Sequence, residues 1–446
     1  MRRRDFIYNT LIGAAGAATA TNTLSSCSLF EGDAVIGLIG CGQRGIQLLE
    51  QLCAIPAGYQ IRYVCDIDQT RGEKAVDLVK KKLGYIPGLK QDMNDLFTDK
   101  EVNTVIIATP LHWNALAAVK ACEAGKDVYL ETLPSLTAEE GHNLKQAVRK
   151  FHTALQTGFQ HRSAAYCMSA RDYISGGQLG QIVHIKTYSL RGCACPGIPT
   201  DSSIPETSSW AAWLGPIPRR PVVSEALRSG DCPGWTNYWD FSQGHLGYSA
   251  SNALDLARMV AGDPDSPKDV YCCGSSPLAS FPKEVPQFQA ITYNYGPFTL
   301  TCESSVSVPY LKNKTHPGSL NPETALNWPR VAERVEIYGT NGLMYIGLHG
   351  TGWQVIGAGG KIIAQEQGQP ADQAHLQNFI ENRKNKKNLS APVDQGHLSA
   401  MLVHMGNIAY RTGNRQLAFN PEKEEFTEDQ EANNLLKCRY SIPGGI

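Results

Sequence analysis

The chain has no charge excess of either sign: 41 basic and 42 acidic side chains leave a formal net charge of -1 over 446 residues. A domain that grips nucleic acid carries a basic surplus to neutralise phosphates, so this balance argues against that class of partner. It also lacks any run of about 18 apolar residues, the minimum for a spanning helix. CxxC pairs are missing among the 13 cysteines, and only Cys193-Ala194-Cys195 and Cys272-Cys273 lie close together. No second pair with histidines completes a zinc site, so no metal is expected. Charged residues make up 19% and hydrophobics 42%, the composition of a chain that buries a core. Its length predicts two or three domains at about 150 residues each.

Arg2-Arg3-Arg4-Asp5-Phe6-Ile7 precedes the weakly apolar, Gly/Ala-rich stretch Leu11–Ala18. A basic head before a short apolar segment reads as an export signal, and the paired arginines with Phe6-Ile7 give the twin-arginine form. The other reading, an amphipathic first helix, lacks a polar face. Leu24-Ser25-Ser26-Cys27 resembles a lipoprotein lipobox, which predicts a lipid on Cys27 and a protein anchored to a membrane rather than spanning it. An ordinary cleavage site is the alternative. Residues 1–32 are therefore assigned to signal and linker, with a periplasmic or membrane-anchored destination. The twin-arginine route carries proteins already folded. A chain folded in a reducing compartment is not expected to carry a disulfide framework, so its cysteines read as small buried apolar residues.

Ala34–Ile39 is a short apolar strand run leading into Gly40-Cys41-Gly42-Gln43-Arg44-Gly45, followed by a helical pattern through Ile46, Leu48, Leu49 and Leu52. Strand, G-x-G-x-x-G, then helix is the context that gives this motif meaning. Gly40 permits the tight turn, Gly42 lets a pyrophosphate approach the backbone, and Gly45 lets helix and strand pack closely. The helix start offers free N–H groups to the phosphates. A second strand, Tyr59–Cys65, ends at Asp66, 21 residues beyond Gly45. That carboxylate is placed to accept from an adenosine ribose and to repel a 2′-phosphate, favouring NAD over NADP, with Arg71 softening the preference. Two further strands end at Thr109-Pro110 and at Glu131. Strand–helix alternation predicts a parallel sheet with ligands at its carboxyl ends, a Rossmann domain over residues 33–155.

The glycine loop, Ala108-Thr109-Pro110-Leu111-His112-Trp113-Asn114 and Ala124-Gly125-Lys126-Asp127-Val128 begin a series of short motifs. It continues with Leu179-Gly180-Gln181-Ile182, Trp210-Ala211-Ala212-Trp213-Leu214-Gly215-Pro216, Trp239-Asp240-Phe241-Ser242-Gln243-Gly244 and the segment Gly406–Arg411. Their order and spacing resemble the glucose–fructose oxidoreductase / inositol dehydrogenase / rhizopine-catabolism family of NAD(P)-dependent enzymes, over nearly everything after the signal. The resemblance implies an α/β fold: an N-terminal Rossmann domain, then an α/β domain over residues 156–446 with a large, mostly antiparallel open sheet. One face of that sheet would cover the nicotinamide and hold a sugar or polyol, and the domain would build a homo-oligomer. The residues agree. Gln181–Leu190, Gln289–Tyr295 and Thr299–Cys302 alternate at period 2, and Arg334–Gly339 leads through a Thr-Asn-Gly turn to Leu343–Ile346, a hairpin signal. Residues 191–235, rich in Pro, Gly and Ser, read as long functional loops.

Alcohol oxidation needs a base for the hydroxyl proton. The family supplies its polar groups with a Glu-Lys-Pro turn and an Asp-x-x-x-His-x-x-Asp helix. Here the turn reads Glu131-Thr132-Leu133-Pro134 and the helix reads Tyr248, Asn252 and Asp255 at the corresponding places. Asn114 stands where the Thr-Pro loop often has histidine. Threonine and asparagine orient a hydroxyl but cannot take its proton. His245, at the mouth of that helix, is one candidate base, with a packing histidine as its equal alternative. Tyr248 is another, provided a neighbour lowers its pKa from about 10. His112 is expected at the surface or on the adenine side, and Asp255 toward structure. The catalytic set is thus His245, Tyr248, Asn252 and Thr132. Cofactor contacts are assigned to Gly40, Gly42, Gln43, Arg44, Gly45, Asp66, Thr109, Pro110, Asn114 and Glu131.

An aromatic face stacks on the C–H face of a sugar. Trp113, Trp235 and Tyr238 are therefore assigned to substrate, with Arg162 reaching either a substrate oxygen or the cofactor, while Trp213 and Trp239 are expected in the core. The leading function is an exported NAD-using oxidoreductase acting by hydride transfer at a ring carbon of a sugar, polyol or glycoside. A second reading resembles the NAD-dependent α-N-acetylgalactosaminidases, which oxidise C3 transiently and eliminate the glycoside. A third is a carbohydrate-binding relative without catalysis.

Overall fold

The computed structural model describes residues 34–190, 210–230, 232–276, 284–307, 311, 327–438 and 440. The export signal, the lipobox with Cys27 and the Cys193/Cys195 pair lie outside the described residues.

Six strands form the first sheet: β1 (Ala34–Ile39), β2 (Tyr59–Cys65), β3 (Gly88–Lys90), β4 (Thr104–Ile107), β5 (Asp127–Leu130) and β6 (Leu155–Thr157). All pair in parallel, in the order β3-β2-β1-β4-β5-β6. Every residue of β1 and β4 is buried, as a strand covered by helices on both faces must be. The order reverses between β1 and β4, which opens a crevice at their carboxyl ends. Asp68 caps the helix Gln69–Leu83, its Oδ1 accepting from Thr70 N at 3.0 Å and Arg71 N at 3.3 Å.

The second sheet has ten strands: β7 (Ile182–Leu190), β8 (Asp269–Ser275), β9 (Phe288–Asn294), β10 (Thr299–Ser305), β11 (Glu333–Gly339), β12 (Gly342–Gly347), β13 (Gly352–Ile356), β14 (Ile362–Gln367), β15 (Leu417–Asn420) and β16 (Glu425–Phe426). Their order is β14-β13-β12-β11-β7-β10-β9-β8-β15-β16, and only β7 and β10 pair in parallel. The Thr340-Asn341 turn joins β11 to β12 as its residues imply. Strands β9 and β10 alternate buried and accessible residues, because one face carries helices and the other does not. Helices Ala165–Ser175, Ser251–Val260 and Val393–Arg411 cover the buried face.

The chain then returns to the first half. Leu376, Phe379 and Ile380 of the helix Asp372–Asn382 join the core beneath β1 and β2, so both halves share packing around the crevice. Among the described cysteines nine are free, six of them buried, but Cys232 is in a disulfide. Cys232 thus departs from the reading of the cysteines as small buried apolar residues.

Candidate functional site

One cavity of about 1130 Å³ connects the strand ends of the first sheet with polar groups of the second half. At its nucleotide end the backbone bend is set by glycines. Gly40 has φ 91°, and a Cβ there would lie 2.5 Å from the Ala108 carbonyl oxygen. A Cβ on Gly45 would meet the Gly40 carbonyl oxygen at 1.9 Å, so the helix Gln43–Leu52 can start this close to β1 only with glycine there. Gly42 differs: a Cβ would meet nothing, because the position faces the open cavity. A diphosphate therefore has bare backbone and a helix N-terminus to approach.

Asp66 lines the same end. Its Oδ2 accepts from Cys41 N at 2.7 Å and its Oδ1 from Asp68 N at 2.8 Å, which fixes the carboxylate beside the bend. Burial raises its pKa, while these backbone donors and Arg71 hold it down. Gln43, Thr109 and Pro110 also line the cavity. Arg44 and Glu131 do so as a pair, Nε to Oε1 at 2.9 Å, and Arg44 Nη2 reaches Asp372 Oδ1 at 2.8 Å. Burial pushes the Glu131 carboxyl up against the pull of Arg44. Asn114 is buried behind this wall, its Nδ2 donating to Leu133 O at 2.8 Å and its Oδ1 accepting from Thr109 Oγ1 at 2.8 Å. It braces the ends of β4 and β5 and is not in the lining, and Gly45 acts likewise through packing.

At the other end, Thr132, Trp113, Trp235, Tyr248 and Asn252 line the cavity. Trp113 Nε1 donates to Trp213 O at 2.9 Å, and Trp235 meets Tyr248 edge to face at 5.7 Å. Tyr248 sits in a single π turn, Leu246–Ala250, that opens the helix Ser251–Val260. Such turns recur at functional sites. The four-residue spacing brings Tyr248 and Asn252 to the same wall. The Oδ1 of Asn252 is shielded from water with no partner among the described residues, an acceptor that a ligand donor would satisfy.

Several expected residues are placed elsewhere. His245 is buried and outside the lining: it stands one residue before the π turn and three positions from Tyr248, less than one turn of a helix whose bonds span five residues, so the two do not share a face. Arg162 is also outside the lining. It lies between two carboxylates, Nε to Asp255 Oδ2 at 2.7 Å and Nη2 to Asp263 Oδ1 at 2.6 Å, since a buried guanidinium requires paired charge. Tyr238 is buried with its hydroxyl on Glu225 Oε2 at 3.3 Å, and it too leaves the lining. His112 is at neither the surface nor the adenine side. It is fully buried, with Nε2 2.9 Å from Trp213 O, and burial lowers its pKa to about 4. Trp213 packs in the core and also touches the cavity, whereas Trp239 is partly exposed, held through Nε1 to Glu284 O at 3.0 Å.

Among the polar lining residues not assigned from the sequence are His161, Tyr166, Glu333 and His349. His161 Nε2 lies 2.6 Å from Asp255 Oδ2, and His349 Nε2 lies 3.0 Å from Glu333 Oε2. Tyr166 accepts from Gly350 N at 3.2 Å and donates to Gly347 O at 3.0 Å, clamping the loop that carries His349. Asp255 does face structure, as its period implies, but the structure it supports is a cavity-lining ring.

Two family models together match about half of the chain. Residues 35–159 match the oxidoreductase family, NAD-binding Rossmann fold, and residues 333–443 match its C-terminal alpha/beta domain. The chain belongs to the glucose–fructose oxidoreductase / inositol dehydrogenase / rhizopine-catabolism family, and its first domain is an NAD-binding Rossmann domain. A glycosyl hydrolase family 109 protein from Shewanella baltica (strain OS185) is 31% identical over 162 residues, 31% of this chain and 35% of that protein. An alpha-N-acetylgalactosaminidase from Shewanella oneidensis is 32% identical over 109 residues, 24% of each chain. The match thus spans about a third or less of these relatives. The WlbA dehydrogenase from Bordetella pertussis, solved with NADH and UDP-GlcNAcA, has the same fold: TM-score 0.61, 16% identity, 87% of this chain and 99% of that one.

Proposed function

We propose that the protein is an exported enzyme that holds NAD in this cavity and oxidises a ring carbinol of a sugar, polyol or glycoside. The observation that carries the reading is the continuity of the cavity from the bare Gly42 backbone to the unpartnered Asn252 Oδ1. NAD bound along that path supplies a hydride acceptor. The chain's own residues do the rest. The 40–45 bend and Asp66 bind and orient; Trp235 and Tyr248 offer apolar faces to ring C–H groups; Thr132 and Asn252 offer hydrogen bonds to hydroxyls. Export is supported by the N-terminal arginines before a short, weakly apolar segment.

A second reading has a specific motive in the names of the two Shewanella relatives: a glycoside is oxidised, eliminated and restored, with no net change in the dinucleotide. The experiment is to denature purified protein and assay released NAD(H). Release of about one dinucleotide per chain is expected; protein that holds none and binds none overturns the proposal. Steady NADH accumulation on a sugar selects the dehydrogenase, and its absence during glycoside cleavage selects the second reading.

A further inference from the structure

The family's lysine and helix histidine are missing here, yet the cavity holds two other imidazoles, each fixed by a carboxylate. His161 follows β6 in the turn Gln160–Ser163, while His349 follows β12 in a left-handed conformation, φ 56°. Tautomers follow from their partners. The Asp255 carboxylate also receives Arg162 Nε at 2.7 Å, Arg162 Nη2 at 2.8 Å and Ser399 Oγ at 2.5 Å. Those donors and the Arg162 charge hold it ionised, well below the usual carboxylate range despite its burial. An ionised carboxylate only accepts, so His161 Nε2 carries the proton and Nδ1 keeps its lone pair for the cavity. Burial keeps this ring neutral, opposed by Asp255 and assisted by Arg162 and His349. His375, also nearby, has both nitrogens occupied, Nε2 by Thr157 O at 2.8 Å and Nδ1 by Ser163 Oγ at 2.7 Å, and burial pushes it down to about 4.

We propose that His161 Nδ1 accepts the proton of a substrate hydroxyl and that His349 is the second proton-transfer group of the same cavity, with Asp255 and Glu333 as positioning residues. The assignment rests on the carbohydrate reading above. In the step, the substrate O–H bond breaks, an N–H bond forms at Nδ1, and the electron pair stays on oxygen; the new imidazolium faces the Asp255 carboxylate. The His349 ring is among the influences that lower the pKa of His161, after burial and Arg162. Simple alcohol oxidation needs one acceptor. A second, separately oriented, serves a route that also removes and returns a proton at carbon, which favours the elimination chemistry.

The test uses protein isolated with its dinucleotide. Nitrogen-labelled histidine NMR is expected to show His161 as the Nε2–H tautomer near neutral pH, and His349→Asn is expected to raise its titration midpoint. His161→Gln is expected to slow nicotinamide reduction by p-nitrophenyl α-N-acetylgalactosaminide about 10²–10⁴-fold, with dinucleotide content and circular dichroism unchanged. An Nδ1–H tautomer, a midpoint indifferent to His349, or a variant as fast as the parent overturns the assignment. If the variant does not fold, or the parent leaves this glycoside untouched, tautomer and midpoint alone decide; the latter result counts against the substrate reading. Protein without dinucleotide fails the functional proposal instead.

Discussion

The two ends of the cavity hold their polar groups by different means. At the nucleotide end, Cys41 N reaches Asp66 across 25 residues, and the bend is shaped by backbone alone, with space for a Cβ denied at Gly45 and left open at Gly42. At the far end, Asp255 is tied to Arg162 across 93 residues and to Ser399 across 144. The first arrangement is vulnerable to a methyl group, the second to the loss of a charge. Buried ion networks tolerate such a loss badly, because the remaining partner stays desolvated.

The largest effect is therefore expected at the second end. Asp255→Ala strands Arg162 and is expected to destabilise the protein by about 3–5 kcal/mol, read as a lower midpoint in denaturant. A loss below about 1 kcal/mol would mean that Asp263 alone satisfies the guanidinium, and the contrast between the ends would weaken.

The seam between the halves comes next. Glu140, in the helix Ala138–Lys150, accepts from Tyr440 Oη at 2.5 Å and Leu136 N at 2.6 Å, yet burial raises its pKa from 4.5 to about 7. A carboxyl raised on folding binds more protons in the native state between those values. Stability is therefore expected to fall as pH climbs from about 4.5 to 7, by about 3 kcal/mol. Glu140→Gln should flatten that slope, and an unchanged slope assigns it elsewhere.

Gly45→Ala probes the nucleotide end. Forcing a Cβ against the Gly40 carbonyl is expected to cost about 1–3 kcal/mol and to abolish dinucleotide retention. Gly42→Ala, with open space, should keep the fold and weaken only the cofactor.

These contrasts also explain what the sequence made legible. The strand–glycine–helix segment, Asp66 and the β11–β12 turn were readable because neighbouring residues define each of them. Strands β9 and β10 announced themselves by alternation, since one of their faces is buried. The far end was not readable in the same way. Nothing local links His161 to Asp255, 94 positions away, or shows that Arg162 faces inward to meet two carboxylates. His245 read as a candidate base from its place at the mouth of that helix, with a packing histidine as the equal alternative, and burial outside the lining favours the packing role. Gln160-His161-Arg162 was the available signal: a histidine beside a buried arginine, just past a strand end.

The smallest expected effect tests whether the two ends act together. Arg71 Nη2 donates to Ser229 Oγ at 2.8 Å, an exposed contact between the helix after β2 and the segment preceding the disulfide-bonded Cys232. Arg228, Ser229 and Gly230 line the cavity along with Arg71 and Asp68, so this segment borders the nucleotide end although it continues directly into Trp235 at the other. An exposed polar contact contributes about 0.2–1 kcal/mol, too little to change the folding midpoint. The same energy acting on release would speed dinucleotide dissociation by up to about fivefold. Arg71→Ala should thus leave stability unchanged while NAD leaves faster in a competition chase. If NAD leaves no faster, the 228–230 segment borders the cofactor without retaining it, and cofactor retention rests on the glycine bend and Asp66 alone.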